Sequence, residues 1–305
     1  MATNPFMTSE NFTELFDPKW NQIFFMTWAL LPEQYKSFCT VKKSGKYAEY
    51  DHHVADLGQW EEKAPLAGVK YEAINMGMPV TYLHKAYGMG AQVERELVDD
   101  AMYDVIGKLP KAMARGAQVT VEIIAADVLN LAFSRLGYDG VPLCSASHPL
   151  YGNLGGTASN RLTEELSLTG LKSAISLGRA QVSDAGLKES AFRGQVDLYF
   201  PTGLEWKVLE MLDTPTTPWS NENTKNVVAG KVRNRYPLDY LTDATNWFIK
   251  DTGAMDDTIV FWWRIPVESK KTQIFDVGTY KWAGYERFGV GHSNWRGWVG
   301  SEVAG

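Results

Sequence analysis

Apolar positions recur along this chain at two distinct periods, and their order predicts its elements. Trp20, Ile23, Phe24, Trp28 and Leu31 are spaced by three and four residues, which predicts a helix with one apolar stripe. Asn11 with Glu14 fits a capping box, and Asp17-Pro18 fits an N-cap followed by the first helical residue. The segment therefore reads as two short helices, an arm that needs a surface to lie on. From about residue 42 to 89 the helical period vanishes. "KSGKYAEYDHHVADLGQWEEKAPLAGVKYEAINMGMPVTYLHKAYGMG" alternates short Tyr, Val and Ile pieces with Gly, Pro and charges, which predicts the extended strands of a long hairpin. Some fifty residues so poor in apolar runs are uncommon as an internal loop, and a hairpin that projects onto a neighbour accounts for them.

The helical period returns in "AQVERELVDDAMYDVIGKL", which starts acidic and ends in Lys108, as the helix dipole favours. Pro110 then ends that helix or opens the next. Met113, Ala117, Ile124, Val128 and Leu131 share one side of a predicted helix over 111–134 that would span ~36 Å, a strut, with Gly137 as its stop. Beyond it, "SLTGLKSAISLGRAQ" reads as a helix capped by Ser167, and "QVDLYF" as a strand closed by Pro201. "TGLEWKVLEML" reads as a helix aligning Leu204, Val208 and Met211. "NWFIK" and "TIVFWWR" read as buried strands around the turn "DTGAMDD", and "TYKWAGYERFGVGHSNWRGWVG" as one or two further strands. A long helix, then mixed elements, then strands argues an α+β fold over a regular βαβ winding.

Composition narrows the function. With 305 residues, 45% of them hydrophobic, the chain can bury a substantial core. A net charge of −6 without any basic stripe argues against specific nucleic-acid binding. The 11 Trp, 14 Tyr and 13 Phe exceed the needs of a plain core and point towards self-association. Cys39 and Cys144 stand far apart with no partner at metal spacing, so neither a disulfide framework nor a metal site is expected. "IFFMTWALL" is too short to span a bilayer and no secretory leader is legible, so a soluble protein with no membrane partner is expected, used in the cytoplasm or released by a route other than secretion.

Chemistry-bearing residues cluster once, in "LCSASHPLYGNLGG" at 143–156, which holds Cys144, Ser145, Ser147 and His148. A nucleophile needs a base, an orienting group and oxyanion donors, and neither a GxSxG elbow nor a strand-to-helix turn is present. The loop reads as a bend at His148-Pro149. "DTGA" follows an apolar strand, the setting of an aspartic-protease carboxylate, so a homodimer pairing two copies of Asp251 is an alternative to a plain turn. The Gly-rich pieces "GMGAQV" and "GVGHSN" lack the third glycine of a dinucleotide fingerprint, and Gly230-Lys231 lacks a Walker loop. His52, His53, His84, His148 and His292 are too scattered for a ligand set. No catalytic, cofactor or metal site is predicted.

In their order, these pieces resemble a tailed-bacteriophage major capsid protein, of the kind that includes the Mu-like major head subunits and related families. "ERELVDDAMYDVIGKLPKAMARGA…AADVLNLAF" is similar to the short helix and long spine helix of that family. "GVPLCSASHPLYGNLGGTASNRLTEELSLTGLKSAI" looks like its segment after the spine. "VDLYFPTGLEWKVLEML" and "YLTDATNWFIKD" resemble its strand–Pro–helix unit and Leu-Thr-Asp…Trp strand, and "ERFGVGHSNWRGWVGS" its C-terminal strand pair. The likeness covers roughly the last two-thirds of the chain; the first ninety residues or so depart from the Mu-like pattern.

The resemblance implies a Hong Kong 97-type capsid fold: an N-terminal arm (1–41), an extended E-loop hairpin (42–90) and the spine region of a P-domain (91–136). An A-domain (137–254) and the remaining P-domain strands with the C-terminus (255–305) complete it. It implies a non-enzymatic subunit without cofactors that assembles with itself, as hexamers and pentamers, into an icosahedral head around double-stranded DNA held without sequence-specific contacts. Portal and decoration proteins are implied partners, assembly is placed in the host cytoplasm, and the product is the virion. The charged helical scaffold region with which some relatives begin is not legible, so a separate scaffolding protein and no maturation cleavage are expected. At the hairpin tip, Trp60, Glu61, Glu62 and Lys63 are the expected inter-subunit contacts, since charge favours specific pairing over aggregation. The same residues also fit a solvated charged turn. An encapsulin-like compartment of the same fold and the Asp251 protease are the alternatives.

Overall fold

The computed structural model describes residues 9–52, 54–76, 79–94, 96, 107–151, 155–188, 191–214, 216, 225–253, 258–274 and 278–303. Along them run α1 (Ser9–Leu30), α2 (Tyr35–Phe38), β1 (Thr40–Lys43), β2 (Ala48–Asp51), β3 (Val80–Leu83), β4 (Lys85–Glu94) and α3 (Lys108–Asn130). The short strands β5 (His148–Pro149), β6 (Thr157–Ala158) and β7 (Arg161–Leu162) follow. Then come α4 (Leu168–Ala180), β8 (Val196–Pro201), α5 (Glu205–Leu212), β9 (Val232–Leu238) and β10 (Trp247–Asp251). Three strands, β11 (Ile259–Ile274), β12 (Thr279–His292) and β13 (Trp298–Ser301), close the chain. None of the described helices is long and apolar enough to cross a membrane.

Two sheets organise the α+β fold. The first has the order β1-β11-β12-β4, with β12 antiparallel to both neighbours and β1 parallel to β11. Alternation over the middle of β12 builds it: Tyr280, Trp282, Glu286 and Phe288 are buried, while Lys281, Ala283 and Tyr285 are exposed. The second sheet has the order β7-β13-β10-β8-β9, mixed in direction, with the apolar side of α4 packed in its core beside Phe192, Leu198 and Val299. Ser167 caps α4 by accepting the Gly170 amide at 3.0 Å, as its position before the apolar period predicted. A third cluster, including Tyr35, Phe38, Val121, Leu129, Phe248, Phe261 and Trp298, joins the spine helix to both sheets.

The strut is present as α3, a helix of 23 residues that starts three residues earlier than read and includes Pro110 in its first turn, where no backbone bond is lost. It ends at Asn130, well before Gly137. Asn130 Nδ2 donates to Tyr240 O at 3.0 Å and its Oδ1 accepts from the Thr242 amide, so contacts with a remote loop hold the end in place. Gly137 serves another purpose, because a Cβ there would sit 2.4 Å from His292 Nε2.

Three further local readings differ from the structure. The two predicted N-terminal helices are one, α1, which runs through Pro18. A proline inside a helix costs about 3 kcal/mol. Burying Trp20 and Phe24 against Val93, Met113 and Trp282 returns roughly 1.5–3 kcal/mol each and outweighs it. The arm thus lies on its own subunit, with Trp20 stacked on Trp282 at 4.3 Å. The helix read from Ala91 does not start there, since Ala91–Glu94 end β4; its continuation through 106 lies almost wholly outside the described residues. "NWFIK" and "TIVFWWR" do not form one hairpin: β10 belongs to the second sheet and β11 to the first, so the chain crosses between sheets after Asp251.

Candidate assembly surfaces

The hairpin read over 42–90 begins at β2 and β3, which pair from Ala48↔Leu83 to Asp51↔Val80. Its base is fastened to the first sheet. Tyr82 stacks on Trp262 at 4.9 Å and covers Gly291, where any Cβ would collide with the Tyr82 ring, and its hydroxyl donates to His292 O. Ser44 Oγ donates to Glu49 Oε1 at 2.6 Å and lies 3.1 Å from His84 Nε2. The Ser44 bond holds the Glu49 carboxyl below its usual range, and burial lowers His84. Lys85 onward already pairs with β12, so the last residues of the 42–90 segment belong to the first sheet.

Beyond a single bridge between Val54 and Met76, no ladder is present among the described residues of the hairpin. One further backbone bond and two side-chain contacts hold its two arms together instead. Ala55 N donates to Asn75 O at 2.9 Å, Gly58 N to Glu72 Oε2 at 2.7 Å, and Lys70 Nζ to Glu61 Oε1 at 2.5 Å. Strands predicted for the whole hairpin therefore stop early, because "QWEEKAPLAG" offers no alternation to pair. The tip turns at 64–67 with Leu66 in the left-handed region (φ 66°).

All four predicted tip residues are exposed, with Trp60 at 93%. Glu61 is engaged by Lys70 of its own chain, which leaves Trp60, Glu62 and Lys63 as the outward-facing groups. The sequence reading missed the apolar set around them: Leu57, Leu66, Val69, Tyr71, Ile74 and Met76 are all more than half exposed. Contiguous exposure of this kind marks an interaction surface. Its signal was in the sequence, since these residues sit in a segment too polar to bury them.

The 143–156 loop, by contrast, buries Leu143, Cys144, Ser145 and His148, and leaves Ala146 and Ser147 exposed. His148 is fully buried, with Nδ1 2.5 Å from Asp139 Oδ2, Nε2 3.0 Å from Asn160 Oδ1, and its ring stacked on Trp295 at 4.2 Å. Asn160 also accepts from Ser145 N and donates to Leu143 O, so the first half of the loop, 143–148, is tied to one amide side chain. Cys144 is sealed beneath Gly300, and burial pushes its thiol far above the range of a thiolate nucleophile. Residues 152–154 of this loop lie outside the described set. Asp251 is buried at the end of β10, where its Oδ1 accepts from Gly253 N at 3.4 Å. Asp251→Asn keeps that acceptor. It should leave particle yield by electron microscopy unchanged and shift stability by no more than about 1 kcal/mol.

Among the buried carboxyls that the sequence does not single out, Glu122 and Glu286 are raised by burial. Glu122 of α3 accepts from the Tyr35 amide at 2.9 Å, a cap for α2 supplied from another helix, and burial raises it to about 7. Glu286 has no such partner; its Oε2 is buried and unpaired, and burial raises it to about 8 from 4.5. A carboxyl raised on folding makes the folded state hold its proton more tightly, so stability falls as pH rises from about 4.5 to about 8 and is level above. Glu286→Gln removes that slope. The variant should be more stable than the parent by a few kcal/mol at pH 8 and by little at pH 4, read from denaturant midpoints. A gap independent of pH would show the carboxyl to be unperturbed.

An arm lying on a sheet, a spine helix joining two mixed sheets and a hairpin that buries almost nothing define a shell subunit of the Hong Kong 97 type. Solved structures share this fold. The procapsid of bacteriophage JBD30 matches at 15% identity over 98% of this chain and 77% of that one, with a TM-score of 0.54. Mycobacterium phage Patience matches at 10% identity over 100% and 94%, with a TM-score of 0.57. The virus-like particle of Pyrococcus furiosus matches at 9% over 93% and 98%, with a TM-score of 0.51. No curated protein matches. The model of the phage capsid protein family matches residues 78–301, and the chain belongs to that family.

Proposed function

We propose that this capsid protein closes, as hexamers and pentamers, into the icosahedral head of a tailed phage and holds double-stranded DNA without sequence-specific contacts. The observation that carries this reading is the projecting hairpin. It carries Trp60, Leu66, Tyr71 and Met76 in the open, on a chain of the phage capsid family. Large apolar side chains without a partner in their own subunit are satisfied by a neighbour, and a closed shell needs many such moderate contacts. The division into arm (1–41), E-loop (42–90), spine region (91–136), A-domain (137–254) and P-domain strands (255–305) belongs to the same proposal. Two strands cross-tie the parts: β4 joins the first sheet and β13 the second. A scaffolding protein, portal and decoration proteins are the proposed partners, with assembly in the host cytoplasm and residence in the virion. Net negative charge keeps the shell from adhering uniformly to packaged DNA.

Electron microscopy of the purified full-length protein tests the reading: closed shells are expected, and a uniformly small species would overturn it. Nuclease-resistant DNA in particles isolated from infected cells separates a phage head from a compartment for protein cargo.

A further inference from the structure

The spine helix does not seal against the first sheet along its whole length. Between α3, β4 and β12 lies a cavity of about 150 Å³, walled by Phe24, Tyr87, Met89, Met113, Thr120 and Val267. It exists because Gly116 of α3 and Gly284 of β12 place no side chain there. Glu286 also lines it, 3% exposed, with Oε2 buried and without a hydrogen-bond partner. Among the described residues no Lys, Arg or His lines it, and the titratable groups among those lining it beside Glu286 are Tyr87 of β4 and Tyr285 of β12. α1 contributes Phe24, β11 contributes Val267, and α3 contributes Met113, Ala117 and Thr120.

A buried carboxyl without a partner destabilises the chain that carries it, and an apolar space beside it sets what could satisfy it. A cavity of this size accepts a molecule as large as benzene. We propose that the cavity binds an alkylammonium group, its amine on the Glu286 carboxylate and its stem of about four carbons against Phe24, Met89 and Met113. Two methionines suit the task, since their side chains adapt to an inserted stem. The chemistry has two sources, a free amine in solution or a lysine of a second copy, and the site stands on helix–sheet packing whether or not the chain forms shells.

The test is calorimetric titration of the unassembled full-length protein at pH 7 with n-butylamine and with n-butanol, in two buffers of different ionisation heat. The amine should bind about tenfold or more tightly than the alcohol. It should also release a fraction of a proton approaching about one per site, because burial raises Glu286 to about 8 and pairing ionises it. Glu286→Gln should abolish both the preference and the proton release. Gly116→Ala keeps the carboxyl, favours the helix and sets a Cβ 3.6 Å from Met89 Cε, so it should weaken both ligands together. Equal binding of amine and alcohol, no binding, or a preference that survives Glu286→Gln would overturn the proposal. Repeating the titration on closed shells separates the sources. Retained binding means the site fills from solution. Lost binding, with the Glu286 carboxylate band present in the infrared, means a neighbour's lysine occupies it; lost binding with the carboxyl still protonated contradicts the site.

Discussion

Deletion of residues 58–68 is expected to yield a subunit that folds normally and makes no closed shells. The deleted stretch contributes nothing to the core: Gly58 and then every residue from Gln59 to Gly68 is exposed or half-exposed. Its internal bonds are few, chiefly Gly58 N to Glu72 and Glu61 to Lys70. Exposed ion pairs of that kind contribute about 0–1 kcal/mol, and shortening a loop recovers some closure entropy, so the denaturant midpoint should barely move. Assembly responds differently. Losing one well-packed Trp at an interface costs about 2 kcal/mol or more, roughly thirtyfold in affinity per contact, and a shell repeats that contact in every subunit. Circular dichroism should match the parent while sedimentation and microscopy show only small species. Trp60→Ala alone should raise the assembly threshold in the same direction, and Glu61→Ala should do much less, because Glu61 already serves Lys70. Intact shells from the deletion would remove the hairpin tip from the interface.

Elements that repeat one period over many residues were legible. The spine, α4 and α5 are present as helices, although of the spine side read from the sequence only Met113 and Val128 are buried and Leu131 lies exposed beyond its end, and the strand at 196–201 ends at the proline that marks it. What failed was decided by partners remote in sequence. Whether Pro18 interrupts a helix depends on Trp282, which buries Trp20 from more than 250 residues away. The division of β10, β11 and β13 between two sheets rests on pairings that no local pattern encodes. His148 looked like chemistry because its neighbours in sequence are Cys and Ser, whereas its neighbours in space are Asp139, Asn160 and Trp295. Glu286 could have been found: it shares strand parity with Tyr280, Trp282 and Phe288, so alternation alone places a carboxyl on the buried face. The hairpin tip was legible for the opposite reason, as a segment that nothing in its own chain could bury.

The inward-facing histidine gives the second large effect. His148→Ala removes three contacts at once: the pair with Asp139, the bond to Asn160 and the stack on Trp295. Asp139 is left as a buried carboxyl whose remaining bond is a long one, from the Val141 amide at 3.3 Å. Breaking a buried pair by truncating one member costs about 3–5 kcal/mol, and the void beside Trp295 adds to it. The loss should appear as a lower denaturant midpoint with an unchanged slope, since the surface exposed on unfolding is the same. His148→Asn is the informative companion. It can keep one donor towards Asp139 while forfeiting the stack, so it should recover part of the loss. A catalytic histidine behaves otherwise, because its removal abolishes turnover and leaves the fold near its original stability. If His148→Ala unfolds within about 0.5 kcal/mol of the parent, the Asp139–His148–Asn160 contacts do not stabilise the fold, and a chemical role for this loop returns.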